Sequence, residues 1–85
     1  MSIRENSKKI VEYVLHCAID GGDLTKDFTF QDERELAKIL EFFSSNLFHV
    51  CIQYLRHNGY IKAGNEDDGF HISLNVKAVD FLELN

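Results

Sequence analysis

The chain has 85 residues, 45% hydrophobic and 27% charged, with a net charge of −5. That length supports a single domain over residues 1–85 with one modest core, and the composition excludes a disordered polar segment. No run approaches the roughly 18 apolar residues of a membrane span, and Met-Ser-Ile-Arg-Glu-Asn lacks the apolar stretch of a signal peptide. Cys17 and Cys51 lie inside apolar helical patterns and do not read as a secreted disulfide scaffold, so a protein of the reducing cytoplasm is expected, without membrane contact.

The first helical signal covers residues 2–19. Ser2 and Glu5 have capping-box spacing, with Asn6 or Ser7 as a later start, and Ile3, Ile10, Val14, Cys17 and Ala18 recur at helical spacing, with Val11 and Leu15 widening the stripe. Asp20-Gly21-Gly22-Asp23 stops it. Phe28-Thr29-Phe30 reads as a short β segment. A second helix starts near Thr29 or Asp32, with Asp32, Glu33 and Glu35 in its first turn, where the helix dipole favours anions. Leu36, Ile39, Leu40 and Phe43 form its expected inward stripe. Ser44-Ser45-Asn46 interrupts the pattern and can cap a third helix over residues 46–57, which Asn58-Gly59 ends. The period then changes. Tyr60-Ile61-Lys62-Ala63 and Phe70-His71-Ile72-Ser73-Leu74 read as strands around a hairpin loop, Gly64-Asn65-Glu66-Asp67-Asp68-Gly69. Asn75 caps a last helix over residues 76–84, with Val76, Val79, Leu82 and Phe81 as its inward candidates. The class is α+β.

Tyr54-Leu55-Arg56-His57-Asn58-Gly59-Tyr60-Ile61 resembles the L-x-x-x-G-[YL]-I signature of winged-helix domains, where the recognition helix turns into the first wing strand. Ile72-Ser73-Leu74-Asn75-Val76-Lys77-Ala78-Val79-Asp80-Phe81-Leu82 is similar to their I-x-L-T-x-K-G-x-x-[FY]-L ending, with Asn75 for the usual Thr and Ala78 for the usual Gly. The layout is also similar to that of the small winged-helix proteins of Gram-positive bacteria and their prophages, of the YjcQ kind. The resemblance implies three helices, a two- to three-stranded antiparallel wing and a C-terminal helix. It also implies sequence-specific binding of double-stranded DNA by a small transcriptional regulator, with the third helix in the major groove.

At 100° per residue, Phe48, Cys51, Ile52 and Leu55 define the buried face of the third helix. Asn46, Val50, Gln53 and His57 lie opposite, with His49 and Arg56 on one shoulder. Asn and Gln pair with adenine edges and Arg with guanine. Asn46, His49, Gln53, Arg56 and His57 are therefore the expected base-reading or register-fixing set, with Ser45 and Lys62 as phosphate contacts. Residues 42–65 contain no Asp or Glu, although acids number 14 in the whole chain. Against this stand the acidic tip Glu66-Asp67-Asp68 and the scarcity of cations, Arg56 and Lys62 being the two in that segment. Two or three phosphate contacts bind weakly, so DNA binding implies a homodimer.

The alternative function is a protein-interaction module that docks on or inhibits another protein. It would use the acidic wing and the strip Leu47, Val50 and Tyr54 on the other shoulder of the third helix. Intramolecular packing is the more ordinary use of such a strip.

An enzyme is not expected. The chain lacks G-x-S-x-G, a Gly-rich phosphate loop and H-E-x-x-H. His16-Cys17 and His49-x-Cys51 diverge too far around a helix to chelate, and no C-x-x-C occurs, so neither a metal nor another cofactor is expected. Cys17 and Cys51 fall on faces expected to be buried, where a thiol has little nucleophilic thiolate.

Overall fold

Short polar side chains set the helix starts. In the computed structural model, which describes residues 2–83, α1 (Ile3–Gly21) begins where the Ser2 hydroxyl accepts the Glu5 N–H at 3.2 Å. β1 (Phe28–Phe30) leads to α2 (Glu33–Ile39), capped by Asp32, whose carboxylate accepts the Glu35 N–H at 2.9 Å. Glu35 reaches back to accept the Gln31 N–H at 2.7 Å. Ser44 caps α3 (Ser45–His57) by accepting the Leu47 N–H at 3.1 Å. β2 (Ile61–Glu66) and β3 (Gly69–Leu74) follow, and then α4 (Lys77–Glu83), at whose start the Asn75 side chain accepts the Lys77 N–H. The expected end of that helix at Leu84 lies outside the described residues.

The three strands form one antiparallel sheet in the order β1-β3-β2. Phe28, Ile72 and Ala63 share a register position on the inner face, as do Ile61 and Leu74. Strand alternation places Thr29, His71 and Gly64 on the outer face, with Lys62 and Ser73 beside them. The core joins Phe70, Ile72 and Leu74 of β3 to Ile10, Val11 and Val14 of α1, Leu36 of α2, Phe48, Cys51, Ile52 and Leu55 of α3, and Phe81 of α4. The α+β class is as expected. Among the described residues there are four helices and the three-stranded antiparallel sheet, and none of those helices is long and apolar enough to cross a membrane.

Several expected positions are corrected. Phe43 and Ile39 do not face inward: Phe43 is 84% exposed and Ile39 is exposed too. The helix stops at Ile39 because Glu41 adopts a left-handed φ of 61°, with the Phe42 N–H donating to Ala37 O and the Glu41 N–H to Lys38 O. Those are the two hydrogen bonds of a Schellman stop, and they advance the chain so that Phe42 enters. The Phe42 ring meets Phe48 edge-on at 5.1 Å. Glycine fills the same stop elsewhere, at Gly22 and Gly59. At Glu41 no glycine announces it.

The hairpin loop is also shorter than expected. Gly64, Asn65 and Glu66 remain in β2, Glu66 pairs with Gly69, and the turn itself is Asp67-Asp68. Gly64 retains its backbone donor and acceptor, so it weakens a strand without breaking the ladder. Tyr60 precedes β2 and stacks near Phe81, ring centres 4.7 Å apart. Val76 is exposed, since α4 begins one residue later and buries Ala78 and Phe81, three apart. Cys17 is half-buried rather than buried, and both cysteines are free thiols.

Asn6 and Ser7 are buried polar residues that periodicity alone does not single out. The Asn6 amide donates to Ser2 O at 2.8 Å. The Ser7 hydroxyl is fully buried and lacks a hydrogen-bond partner among the described residues. It lies beside the Cys51 thiol, whose pKa burial raises and the nearby hydroxyl lowers only in part.

Two stability predictions rest on these contacts. Ser7→Ala removes the unsatisfied hydroxyl and should stabilise the fold by ~1 kcal/mol, raising the thermal midpoint by about 4–8 °C; an unchanged or lower midpoint would show that the hydroxyl is satisfied. Gly69 and Gly64 should respond oppositely to alanine. Gly69 has a φ of 136°, and a Cβ there would lie 2.2 Å from Phe30 O. Gly69→Ala should therefore cost at least ~1–3 kcal/mol in urea denaturation. At Gly64 a Cβ meets nothing within 4 Å, and Gly64→Ala should gain ~0.5–1 kcal/mol.

Candidate nucleic-acid interface

Burying Phe48, Cys51, Ile52 and Leu55 fixes the rotation of α3, and all four are in the core as the periodicity required. Asn46, His49, Gln53, Arg56 and His57 are consequently exposed along the other side, and Ser45 is exposed at the first turn. The cap at Ser44 uses one of the orphan N–H groups of that turn. Arg56 and His57 occupy the last turn, where cationic groups complement the helix dipole.

Lys62 stands apart from this set. It lies on the outer face of the sheet, in an open concavity shared with Asp27, Glu66, His71 and Ser73. The structure therefore brings six of the seven expected DNA contacts onto one helix and places the seventh among carboxylates on the sheet.

α2 supplies what the local sequence window concealed. Glu33 lies 16 residues before His49, yet its carboxylate sits 2.9 Å and 3.3 Å from His49 Nδ1. A carboxylate only accepts, so Nδ1 carries the proton and Nε2 is the ring nitrogen left for another partner. Arg34, exposed on the same helix, joins Glu33, Ala37, Ser45, Phe48 and His49 around an open groove between α2 and α3. The absence of acids over residues 42–65 is thus true of α3 but not of its surroundings, and the same fold that adds Glu33 also adds a cation, Arg34. Hydrophobic periodicity places α2 beside α3, but gives no register between them; no sequence signal pairs Glu33 with His49.

The apolar strip is divided. Tyr54 is half-buried and its ring centre lies 6.3 Å from that of Phe81, so α4 covers part of it. Leu47 is half-buried in a cleft lined also by Asn6, Lys9, Leu40, Phe42 and Phe43. Val50 is 44% exposed. Phe43, expected in the core, instead extends this strip at its N-terminal end.

At the hairpin tip Asp68 is engaged within the chain: its Oδ1 lies 2.6 Å from His71 Nε2. The hydrogen bond to His71 holds the Asp68 carboxyl below the usual carboxylate range. Glu66 and Asp67 are exposed beside it. Among the described residues, no three His, Cys, Asp or Glu side chains gather so as to hold a metal ion.

Comparison with known proteins found no protein-family model, no curated protein and no solved structure that matches this chain.

Proposed function

We propose that the chain is a winged-helix domain that binds double-stranded DNA through the exposed face of α3, acting as a small transcriptional regulator. The observation that carries this reading is the composition of that face: Asn46, His49, Gln53, Arg56 and His57 are exposed together on a helix that contributes no carboxylate, in a chain of net charge −5. The element order and the sheet order β1-β3-β2 support the winged-helix assignment, with β2 and β3 as the wing. The two sequence motifs support it independently.

In this arrangement Asn46 and Gln53 present paired donor and acceptor atoms suited to adenine, and Arg56 a fork suited to guanine N7 and O6. His49, with Nδ1 committed to Glu33, offers a base edge a single nitrogen in a fixed tautomer. Ser45 and Arg34 flank the start of α3, where phosphate contact suits the helix dipole. Glu33 and the acidic tip restrict the footprint to α3 and the adjoining Arg34 of α2. One such footprint neutralises few phosphates, and a homodimer doubles the contacts.

A specific observation favours a second reading, docking on another protein. Phe43 is 84% exposed and borders the same cleft as Leu47, next to Val50 on α3. The two readings differ in their response to salt and to Phe43.

Titration of the isotope-labelled protein with a mixed-sequence duplex at low salt should shift the amides of residues 44–57, and added salt should reverse the shifts. Arg56→Ala should weaken specific binding by ~1–3 kcal/mol and relax discrimination at the guanine it reads, while Arg34→Ala should reduce the slope of log affinity against log salt by ~1. A flat spectrum at ~0.1 mM duplex, the weak end of non-specific binding, would overturn the DNA reading. Phe43→Ser, on a side chain outside the core, should leave both the fold and DNA binding intact. Loss of a salt-resistant self- or partner-association in that variant would instead favour protein docking.

A further inference from the structure

Three chain segments meet at His71. The residue lies in the middle of β3, on the outer face of the sheet, opposite Thr29 of β1 and Gly64 of β2. Its Nδ1 is 2.5 Å from Asp27 Oδ2, in the loop that delivers β1, and its Nε2 is 2.6 Å from Asp68 Oδ1, in the β2–β3 turn. The Thr29 hydroxyl lies 3.3 Å from Nδ1. A neutral imidazole carries one N–H, and a carboxylate can only accept. Both contacts are hydrogen bonds only if both ring nitrogens are protonated.

We propose that His71 is a doubly protonated latch that fastens the β2–β3 turn to the loop preceding β1, and that its deprotonation releases the turn. The latch stands independently of the DNA reading, because it concerns the hairpin and not α3. A neutral ring retains one donor, so one carboxylate loses its partner. At the same moment Asp27 and Asp68 lose the positive charge between them. The turn is exposed and short, and nothing apolar in it resists opening.

The surrounding charges favour the closed state. Asp27 and Asp68 contact the ring directly, while Lys62 and Glu66 of β2 and Ser73 of β3 line the same concavity. Lys62 opposes protonation and Glu66 favours it, leaving the two direct carboxylates to decide. Their hydrogen bonds, Asp27 first and then Asp68, raise the His71 pKa to about 9 from an ordinary 6.5. A pKa raised on folding means that the stabilisation is complete below about 6.5 and is lost as pH rises through about 9. The lowered Asp68 pKa reflects the same interaction from its other partner; that carboxylate remains ionised above its ordinary 3.8, and the latch is lost in acid below its depressed value.

Nitrogen-15 spectra of the imidazole rings in the wild-type protein test this directly. At pH 7.5 both His71 nitrogens should give imidazolium shifts, and the deprotonation midpoint should fall near 9. Carbon-detected backbone shifts of residues 24–27 and 66–69 should move with that same midpoint, while those of α1 and α3 stay fixed. Asp27→Asn and Asp68→Asn should each lower the midpoint by about one to three pH units. A His71 midpoint near 6.5 in the wild type would overturn the proposal. So would a hairpin whose backbone shifts ignore the His71 titration.

Discussion

The apolar face of α3 can be buried in only one way, and much else in the molecule depends on that burial. Phe48, Cys51, Ile52 and Leu55 join the core that α3 shares with α1, α2 and the sheet. Full burial of side chains of the larger kinds is worth ~1.5–3 kcal/mol each. Rotating the helix by one residue, 100°, would expose most of that surface and draw Gln53 or Arg56 into a core that offers charged groups no evident partner. The outward face is therefore a by-product of the inward one. Asn46, His49, Gln53 and Arg56 are displayed because the other side of the helix is needed elsewhere. A function that uses this face inherits its position from the core.

Strand β3 performs the corresponding task for the sheet. It lies between β1 and β2, so it alone has both edges paired, and its inner residues Phe70, Ile72 and Leu74 are all buried. α4 then returns against α1, where its Phe81 meets Tyr54 of α3 and Tyr60 while the Arg4 guanidinium lies 5.2 Å above the same ring. This gathering ties the N-terminal turn of α1, the end of α3, the approach to β2 and the last helix to one side chain. Tyr54 is drawn inward by it, which is why a strip that looks continuous on a helical projection is interrupted in the folded chain.

How much of the fold is legible in the sequence follows the range of the forces involved. The caps at Ser2, Asp32, Ser44 and Asn75 are local hydrogen bonds over two or three residues, and each lies among the short polar residues the sequence offers at that helix start. The buried stripe of α3 needs only helical periodicity. Periodicity misplaces Phe43 and Ile39 because it continues through a sequence until something ends the helix. Here the ending depends on Glu41 in a left-handed conformation, which glutamate seldom adopts. At the hairpin the error has the opposite origin: glycine signals a turn, and Gly64 sits within a strand. Glu33 reaches His49 and Asp27 reaches His71 across sequence separations of 16 and 44 residues, and nothing in a single sequence encodes those pairings.

Those two histidines also change how the charge of the molecule should be counted. Along the chain, residues 42–65 lack acids and the hairpin tip is strongly acidic, so the sequence divides into a clean helix and a repulsive wing. In three dimensions the division is less sharp. Glu33 brings a carboxylate to α3, while the His71 ring lies between two of the acids on the sheet side. Exposed pairs of this kind contribute little to overall stability, but each controls the orientation of a polar side chain. Because Coulombic contacts near water decay over a Debye length of ≈ 8 Å at physiological salt, what a phosphate at α3 meets is set by Glu33, Arg34 and Arg56 rather than by the net charge. On the DNA reading, the total of −5 therefore sets the long-range approach, and the few groups on α2 and α3 decide the bound complex.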